Sequence, residues 1–335
     1  MNIVYRLLKW NRYIRSRRLK DFGIFLLHLL GRRYLAVFLD PVLGCNLRCK
    51  MCYFSDPEYR KRRKGILHSD DLTKIANAFF HRTLKLQIGC GAEPSLFPHN
   101  TALIHMAKQY KVPYISMTTN ANLFTGKDLW DFVAAGLDEI TLSLHGVTRE
   151  SYEYFMTGAS FDVFCKTMAT LTEIKKAHPR FKVRINYTVN QDNMNDLTLF
   201  FDIFGNYAID LLQIRPIQKI GKSEYDTFSW DELHRSYDEV IKKVRDESLR
   251  HGVVCIAPEK IDLQTAADDE SVVEATYCYI APRYTWYEDF DLNTDTYESY
   301  SKRTKRTKTL FNNIFKKAKP DAEYQRKLNY SVSGM

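Results

Sequence analysis

Three cysteines crowd one short stretch, Gly44-Cys45-Asn46-Leu47-Arg48-Cys49-Lys50-Met51-Cys52-Tyr53, with the spacing CxxxCxxC. With seven cysteines among 335 residues, this spacing arises by chance in well under about one chain in a hundred. Three thiolates on one short loop can each hold one iron of a cubane iron–sulfur cluster and leave a fourth iron open. A structural zinc site asks for four ligands, usually as two separated pairs. Only His68 or His81 offers itself as a fourth ligand here, and no second pair exists. The spacing therefore predicts a 4Fe-4S cluster on Cys45, Cys49 and Cys52.

A second element lies about forty residues on, where Gly89-Cys90-Gly91-Ala92-Glu93-Pro94 ends a strand-like run. The cysteine loop followed by this string resembles the radical S-adenosylmethionine (radical SAM) superfamily, with its three-cysteine signature and its Gly-Gly-Glu-Pro loop. The family often has an aromatic residue before the last cysteine. Met51 stands there instead, and Tyr53 follows the motif. The resemblance implies that the open iron binds the amino and carboxylate groups of S-adenosylmethionine. One-electron reduction would then cleave that cofactor to methionine and a 5′-deoxyadenosyl radical, which abstracts a substrate hydrogen.

The resemblance also assigns cofactor contacts. Gly91 lets the backbone approach closely, and Glu93 offers a carboxylate to the cofactor's ammonium group. Ala92 replaces the usual glycine. Tyr53 lies beside the cofactor. Thr119-Asn120-Ala121 is similar to the family's Thr-Asn-Gly, with Ala121 departing. Ser143 and His145 stand where a Ser-x-Asp pair meets the ribose and the methionine carboxylate. Asn186 is placed to hydrogen-bond the cofactor, and Arg215 to meet a carboxylate.

These residues fall at regular places in a strand–helix alternation. Strands are expected at Tyr34–Asp40, Leu84–Cys90, Tyr114–Asn120, Glu139–His145, Lys182–Asn190 and Leu211–Gln218. Helical patterns lie between them at Asp70–Phe80, Thr101–Gln109, Gly126–Ala135, Phe161–Lys176 and Asp196–Phe204. Such alternation implies an α/β fold with a parallel sheet. Six units make a partial (β/α)6 TIM-like barrel, with its site at the carboxyl ends of the strands. Ser116, Thr118 and Asn120 alternate with apolar neighbours, as do Thr141, Ser143 and His145, then Arg184, Asn186 and Thr188. One polar face per strand, where parallel strands covered by helices read apolar on both faces, predicts a cavity for a polar ligand. The chain thus divides into a basic helical N-terminal segment (1–33), the radical SAM core (34–220) and a small C-terminal extension (221–335). A capping box at Ser229-Trp230-Asp231-Glu232 opens a helix to about Arg250, and a strand follows at Val253–Ala257. The sequence beyond Tyr277 is aromatic, then basic, with little periodicity.

Composition narrows the setting. A hydrophobic content of 45% with 13% aromatics belongs to a folded chain. No apolar run reaches the eighteen or so residues that cross a bilayer. The longest, Phe22–Leu30, is broken by Gly23 and His28. Clustered cysteines fit metal ligation in a reducing cytosol rather than a disulfide framework. After residue 220 only Cys255 and Cys278 remain, so the extension is like a cysteine-poor version of the SPASM-type domain that carries auxiliary clusters in peptide-modifying relatives. Cys165 and Cys255 read as packing residues, and Cys90 flanks the cofactor loop.

The net charge of +9 is concentrated. Nine basic residues face the single acid Asp21 between Met1 and Arg33. Further runs are Arg60–Lys64 and Lys302, Arg303, Lys305, Arg306 and Lys308, with Lys316, Lys317 and Lys319 beyond. Such runs suit anionic partners or a solvated surface. The leading reading is a cytoplasmic radical enzyme for peptide modification, with flavodoxin or ferredoxin as reductant. The alternatives are an enzyme of lipids or glycans held peripherally to the membrane, with Leu7, Leu8, Ile14 and Phe25–Leu30 on anionic lipid, and a non-catalytic binding module. Nucleic acid is not expected as the substrate.

Overall fold

The computed structural model describes residues 14, 16–218, 222–225, 227, 229–258 and 270–316. Six strands form the expected succession: β1 (Leu35–Leu39), β2 (Thr83–Ile88), β3 (Tyr114–Thr119), β4 (Glu139–Leu144), β5 (Lys182–Val189) and β6 (Leu211–Pro216). Each lies parallel to the next in chain order. Helices fill the connections: α1 (Arg17–Leu29) precedes the sheet, followed by α2 (Pro57–Arg62), α3 (Ser69–Ile75), α4 (Asn100–Gln109) and α5 (Gly126–Ala135). Then come α6 (Arg149–Phe155), α7 (Phe161–Ala177), α8 (Phe200–Phe204) and α9 (Trp230–Arg250).

Local chemistry explains the boundaries. The Thr125 hydroxyl accepts the Asp128 amide while Asp128 reaches back, so α5 starts on a reciprocal cap. Gly136 ends α5 at φ 110°, a left-handed position suited to glycine. The helical pattern expected over Asp70–Phe80 is split, because α3 gives way to a π turn at Ala76–Phe80 that seats Phe79 and Phe80 in the core. Likewise the pattern over Asp196–Phe204 is a 3-10 turn, Asn195–Leu199, leading into α8.

Strand phase appears most clearly in β5. Val183, Ile185, Tyr187 and Val189 are buried, while Lys182, Arg184, Asn186 and Thr188 are only half-buried on the opposite face. Each fully buried aliphatic side chain contributes about 1.5–3 kcal/mol, enough to fix this register against a one-residue slip.

The sheet continues past residue 220 at both ends. β7 (Val254–Ile256) adds parallel to β6, and β8 (Tyr277–Ala281) adds parallel to β1. β9 (Tyr284–Thr285) closes a hairpin on β8. The nine-stranded order β7-β6-β5-β4-β3-β2-β1-β8-β9 leaves its two ends unjoined, so the barrel stays open. Cys255 and Cys278 therefore sit at opposite ends of the sheet, and Cys278 is fully buried. The aperiodic region after Tyr277 is held by aromatic packing. Phe79 stacks on Phe290 at 4.7 Å between centroids, and Tyr287 meets Tyr300 at 5.3 Å. Three further helices, α10 (Glu270–Thr276), α11 (Tyr297–Arg303) and α12 (Arg306–Asn313), finish the described chain. α1 packs against α10 and α12. Leu7, Leu8, Lys317 and Lys319 lie outside the described residues.

Candidate active site at the carboxyl ends of the strands

The cysteine loop leaves β1 at Asp40 and is held from several sides. The Arg48 and Lys50 amides donate to the carbonyls of Thr157 and Phe155, both at 2.9 Å. Backbone amides point at two of the sulfurs: Leu47 N–H lies 3.4 Å from Cys45 Sγ and Phe54 N–H 3.5 Å from Cys52 Sγ. Asn120 Nδ2 adds a contact to Cys45 Sγ at 3.8 Å. Burial pushes all three thiols up, and for Cys49 the neighbouring Cys52 and Cys45 push further. Thiols so desolvated and so close to one another become thiolates when metal charge replaces the lost water. Amide donors at the sulfurs suit a cluster, whose bridging and terminal sulfurs accept such bonds. The donor set therefore fits an iron–sulfur cluster. Among the described residues no three His, Cys, Asp or Glu side chains converge on a single ion. His68 caps α3 and His81 sits against Tyr110, both exposed, so neither completes a zinc site.

The loop at 89–94 is joined to the cysteine loop. Glu93 N–H donates to the Gly44 carbonyl at 2.8 Å, and Tyr53 Oη donates to the Gly91 carbonyl at 2.6 Å. The Glu93 carboxylate accepts the Thr119 hydroxyl (2.6 Å), the Ser95 amide (3.1 Å) and the Asn120 amide (2.8 Å). Burial raises its pKa and these bonds pull it back down. Glu93 thus ties the ends of β2 and β3 together, a duty that its sequence position does not reveal. Asn120 is also engaged, its Nδ2 bonding Asn46 Oδ1 at 2.8 Å. Ala121 adopts φ 63°, the left-handed geometry that the family's glycine would take without strain.

Asp40 was not singled out by sequence. It is fully buried, and its carboxylate accepts the amides of Cys90 (2.6 Å) and Gly91 (2.9 Å) and the Tyr279 hydroxyl (2.7 Å). The glycine with a conformational demand is Gly89 rather than Gly91. At φ 74° a Cβ on Gly89 would stand 2.5 Å from the Thr118 carbonyl and 2.8 Å from Pro94.

Inside the sheet, Ser143, Asn186 and Gln213 pair in register as one polar row across β4, β5 and β6. Arg215 pairs with Thr188 one step nearer the carboxyl ends. His145 follows β4, and its Nδ1 and the Asn186 Oδ1 are buried without a hydrogen-bond partner. Burial lowers the His145 pKa to about 4, so the ring is neutral near pH 7. Both atoms have hydrogen-bonding capacity that a polar ligand at this row would satisfy. Toward the amino ends, Arg184 pairs with the buried Glu139 at 3.1 Å. The wall at β1 and β8 is aromatic instead, with Phe38 and Tyr277 at 4.8 Å and Tyr277 edge-on to Trp286 at 4.9 Å.

An open parallel barrel with a three-thiol loop and a carboxylate loop at its carboxyl ends defines a cofactor-binding enzyme fold. Residues 40–197 match the model of the radical SAM superfamily, so this part of the chain is a radical SAM domain. The superfamily's cofactors are a 4Fe-4S cluster and S-adenosylmethionine. Among curated proteins, a probable GTP 3′,8-cyclase of Saccharolobus islandicus is 26% identical over 204 residues, covering 60% of this chain and 62% of its own length. A second, from Sulfurisphaera tokodaii, is 23% identical over 203 residues, covering 61% and 62%. The chain thus spans about 62% of the length of the curated relatives it matches. Among solved structures, Streptococcus suis SuiB bound to S-adenosylmethionine superposes with a TM-score of 0.59 at 17% identity, covering 74% of this chain and 58% of that one. AnSMEcpe with bound AdoMet gives 0.53 at 16% identity, covering 66% and 64%. At these identities the two structures speak for the fold alone.

Proposed function

We propose that this chain reductively cleaves S-adenosylmethionine and takes a hydrogen atom from a substrate admitted through the open side of the barrel. The observation that carries the reading is the junction of the two loops through Glu93 N–H and the Gly44 carbonyl, with Asn120 bridging to Cys45. When bound, the cluster and the cofactor supply the electron transfer, the 5′-deoxyadenosyl radical and the hydrogen abstraction. The protein's part is to hold, orient and exclude water. Cys45, Cys49 and Cys52 hold three irons. Gly91 and Tyr53 shape the loop under the cofactor, while Glu93 and Asn120 fix its position against the cysteines. Ser143, Asn186 and the neutral His145 meet the ribose and the amino-acid end as hydrogen-bonding partners. Arg215 offers positive charge to a carboxylate near the mouth.

For the substrate, the curated relatives favour a purine nucleotide, since both are named as probable GTP cyclases. The wide lateral mouth of an open barrel supports a peptide, or a conjugated lipid or glycan, as the second class. The electron donor is a flavodoxin or ferredoxin. The test is anaerobic turnover of reconstituted protein with dithionite, S-adenosylmethionine and, in separate arms, GTP, peptides and lipid-linked sugars. Release of 5′-deoxyadenosine, raised by one arm, is the expected result. The Cys45→Ala/Cys49→Ala/Cys52→Ala variant should lose about four irons and all release. A loaded cluster that binds the cofactor yet yields no deoxyadenosine in any arm supports the binding-module reading instead.

A further inference from the structure

The helix α1 is amphipathic in the wrong sense for a surface helix. Its inward positions include two polar side chains, Asp21 and His28, beside Ile24. Asp21 is 2% exposed and accepts the Ser271 hydroxyl at 2.8 Å, and Arg17 lies 3.8 Å from the same carboxylate. One residue before the helix ends, His28 Nδ1 meets Tyr34 Oη and its Nε2 meets Thr307 Oγ1, both at 3.0 Å. Its outward positions are leucines and a phenylalanine. Leu19, Phe22, Leu26, Leu29 and Leu30 recur at helical spacing along one stripe, from 39% exposed at Leu26 to 69% at Leu30. A helix at a water interface shows the reverse arrangement. The polar anchors prevent α1 from rolling its leucines inward, since doing so would strip partners from buried Asp21 and His28.

The apolar surface does not end with α1. Phe25 contacts Phe311 at 5.5 Å, and Phe311 contacts Phe315 at 5.4 Å, with Phe315 65% exposed. Between them lies an open depression of about 520 Å³ lined by Phe25, Lys305, Thr307, Lys308 and Phe311. Cations rim the patch: Arg18, Arg32, Lys305, Lys308 and Lys316 are all exposed. The only acid among the first 33 residues is Asp21, and it faces inward.

We propose that this face, α1 together with Phe311 and Phe315, docks the enzyme on an anionic lipid bilayer. An apolar stripe flanked by lysine and arginine is what an interfacial helix presents to headgroups and acyl chains. Charge chooses this occupant over a second copy of the chain. A symmetric dimer through the patch would bring Arg18, Arg32, Lys305, Lys308 and Lys316 against their own counterparts, whereas an anionic surface neutralises them. No helix among the described residues is long and apolar enough to cross a membrane, so the contact is peripheral.

The test is flotation of the full-length protein with vesicles of phosphatidylglycerol and phosphatidylcholine, against vesicles of phosphatidylcholine alone. Wild type should float with the anionic vesicles and stay behind with the neutral ones. Leu19→Ser/Phe22→Ser/Leu26→Ser should lower the bound fraction at least about tenfold, because the acyl-facing area is lost. Lys305→Glu/Lys308→Glu should do the same without touching the apolar stripe. Circular dichroism and iron content, unchanged in both variants, show that the fold is intact. Failure of wild type to float overturns the proposal, as does equal flotation of the variants. Self-association abolished by the leucine variant, without vesicle binding, assigns the face to a second copy and overturns it too.

Discussion

Tyr279 donates its hydroxyl to Asp40 at 2.7 Å, joining strands whose residues stand 239 positions apart in the chain. Asp40 in turn holds the amides of Cys90 and Gly91. The region after residue 220 therefore supports the loop at 89–94 through Asp40, with β8 lying against β1.

Removing that support should be measurable. Tyr279→Phe deletes one hydrogen bond to a buried carboxylate and should cost about 1.5–3 kcal/mol in denaturant unfolding. Asp40→Asn keeps the shape but turns an amide donor toward the Gly91 amide in either orientation, so it should cost more and also weaken S-adenosylmethionine binding. A Tyr279→Phe variant as stable as wild type would leave this bond without energetic weight. Asp40→Asn binding the cofactor normally would detach the loop's geometry from Asp40.

Glu93 separates two roles. Glu93→Gln keeps one acceptor oxygen, enough for Thr119 Oγ1 and the Ser95 amide, but turns an NH2 donor toward the Asn120 amide and removes the charge, whereas Glu93→Ala leaves three donors unpaired. Alanine should therefore lower stability by about 2–4 kcal/mol, and glutamine by less. Both should weaken S-adenosylmethionine binding by about ten- to a hundredfold if the carboxylate meets the cofactor's ammonium. Isothermal titration on cluster-loaded protein distinguishes the outcomes. Glutamine with full affinity would leave Glu93 as a strut between β2 and β3.

Much of this arrangement was readable in advance because it is local. Strand phase depends on neighbours two residues apart, so β3 to β6 and their polar face were evident from alternation. The cysteine loop and Gly89–Pro94 are contiguous strings whose chemistry is in the string. β8 was missed because Tyr277–Ala281 reads as apolar at every position, and its partner β1 is encoded some 240 residues earlier. Asp40 reads in sequence only as the last residue of the strand Tyr34–Asp40, because its use depends on amides fifty residues on. Arg306 looked like one charge in a solvated run. The fold instead lays it over the Tyr287 ring at 5.1 Å and against the Tyr297 hydroxyl at 2.7 Å.

Acid should loosen α1. Burial, and then the nearby Arg82 and Arg306, lower the His28 pKa from 6.5 to about 4, while Glu298 opposes them. Between those values the unfolded chain binds the proton and the folded chain does not. Stability from this site is therefore complete above pH 6.5 and is lost as the pH falls toward 4. Solvent screening at the helix end holds the effect to about 1–2 kcal/mol. Protection of the α1 amides, each rate taken relative to its intrinsic value at that pH, should fall between pH 6.5 and 4.5 in wild type and change less in His28→Gln. An equal fall in both would place the responsible group elsewhere.

The unpartnered atoms of His145 and Asn186 lead to a prediction in which stability and binding move in opposite directions. Asn186 Oδ1 and His145 Nδ1 are sealed from solvent with no partner in the described chain. Each costs the ligand-free protein the desolvation of a polar group, about 1–3 kcal/mol. Asn186→Leu has nearly the same shape and no polar atoms, so the ligand-free protein should melt at an unchanged or higher temperature. If Oδ1 accepts a hydrogen bond from S-adenosylmethionine as proposed, the cofactor should bind about tenfold or more weakly. His145→Ala loses packing as well, so its ligand-free stability should fall slightly while its affinity falls at least as far as in the asparagine variant. The readout is a pair of numbers for each protein, the melting temperature without cofactor and the dissociation constant with it. Asn186→Leu with lower stability and full affinity would mean that Asn186 holds the barrel together through contacts other than its amide oxygen, and would remove it from the cofactor site.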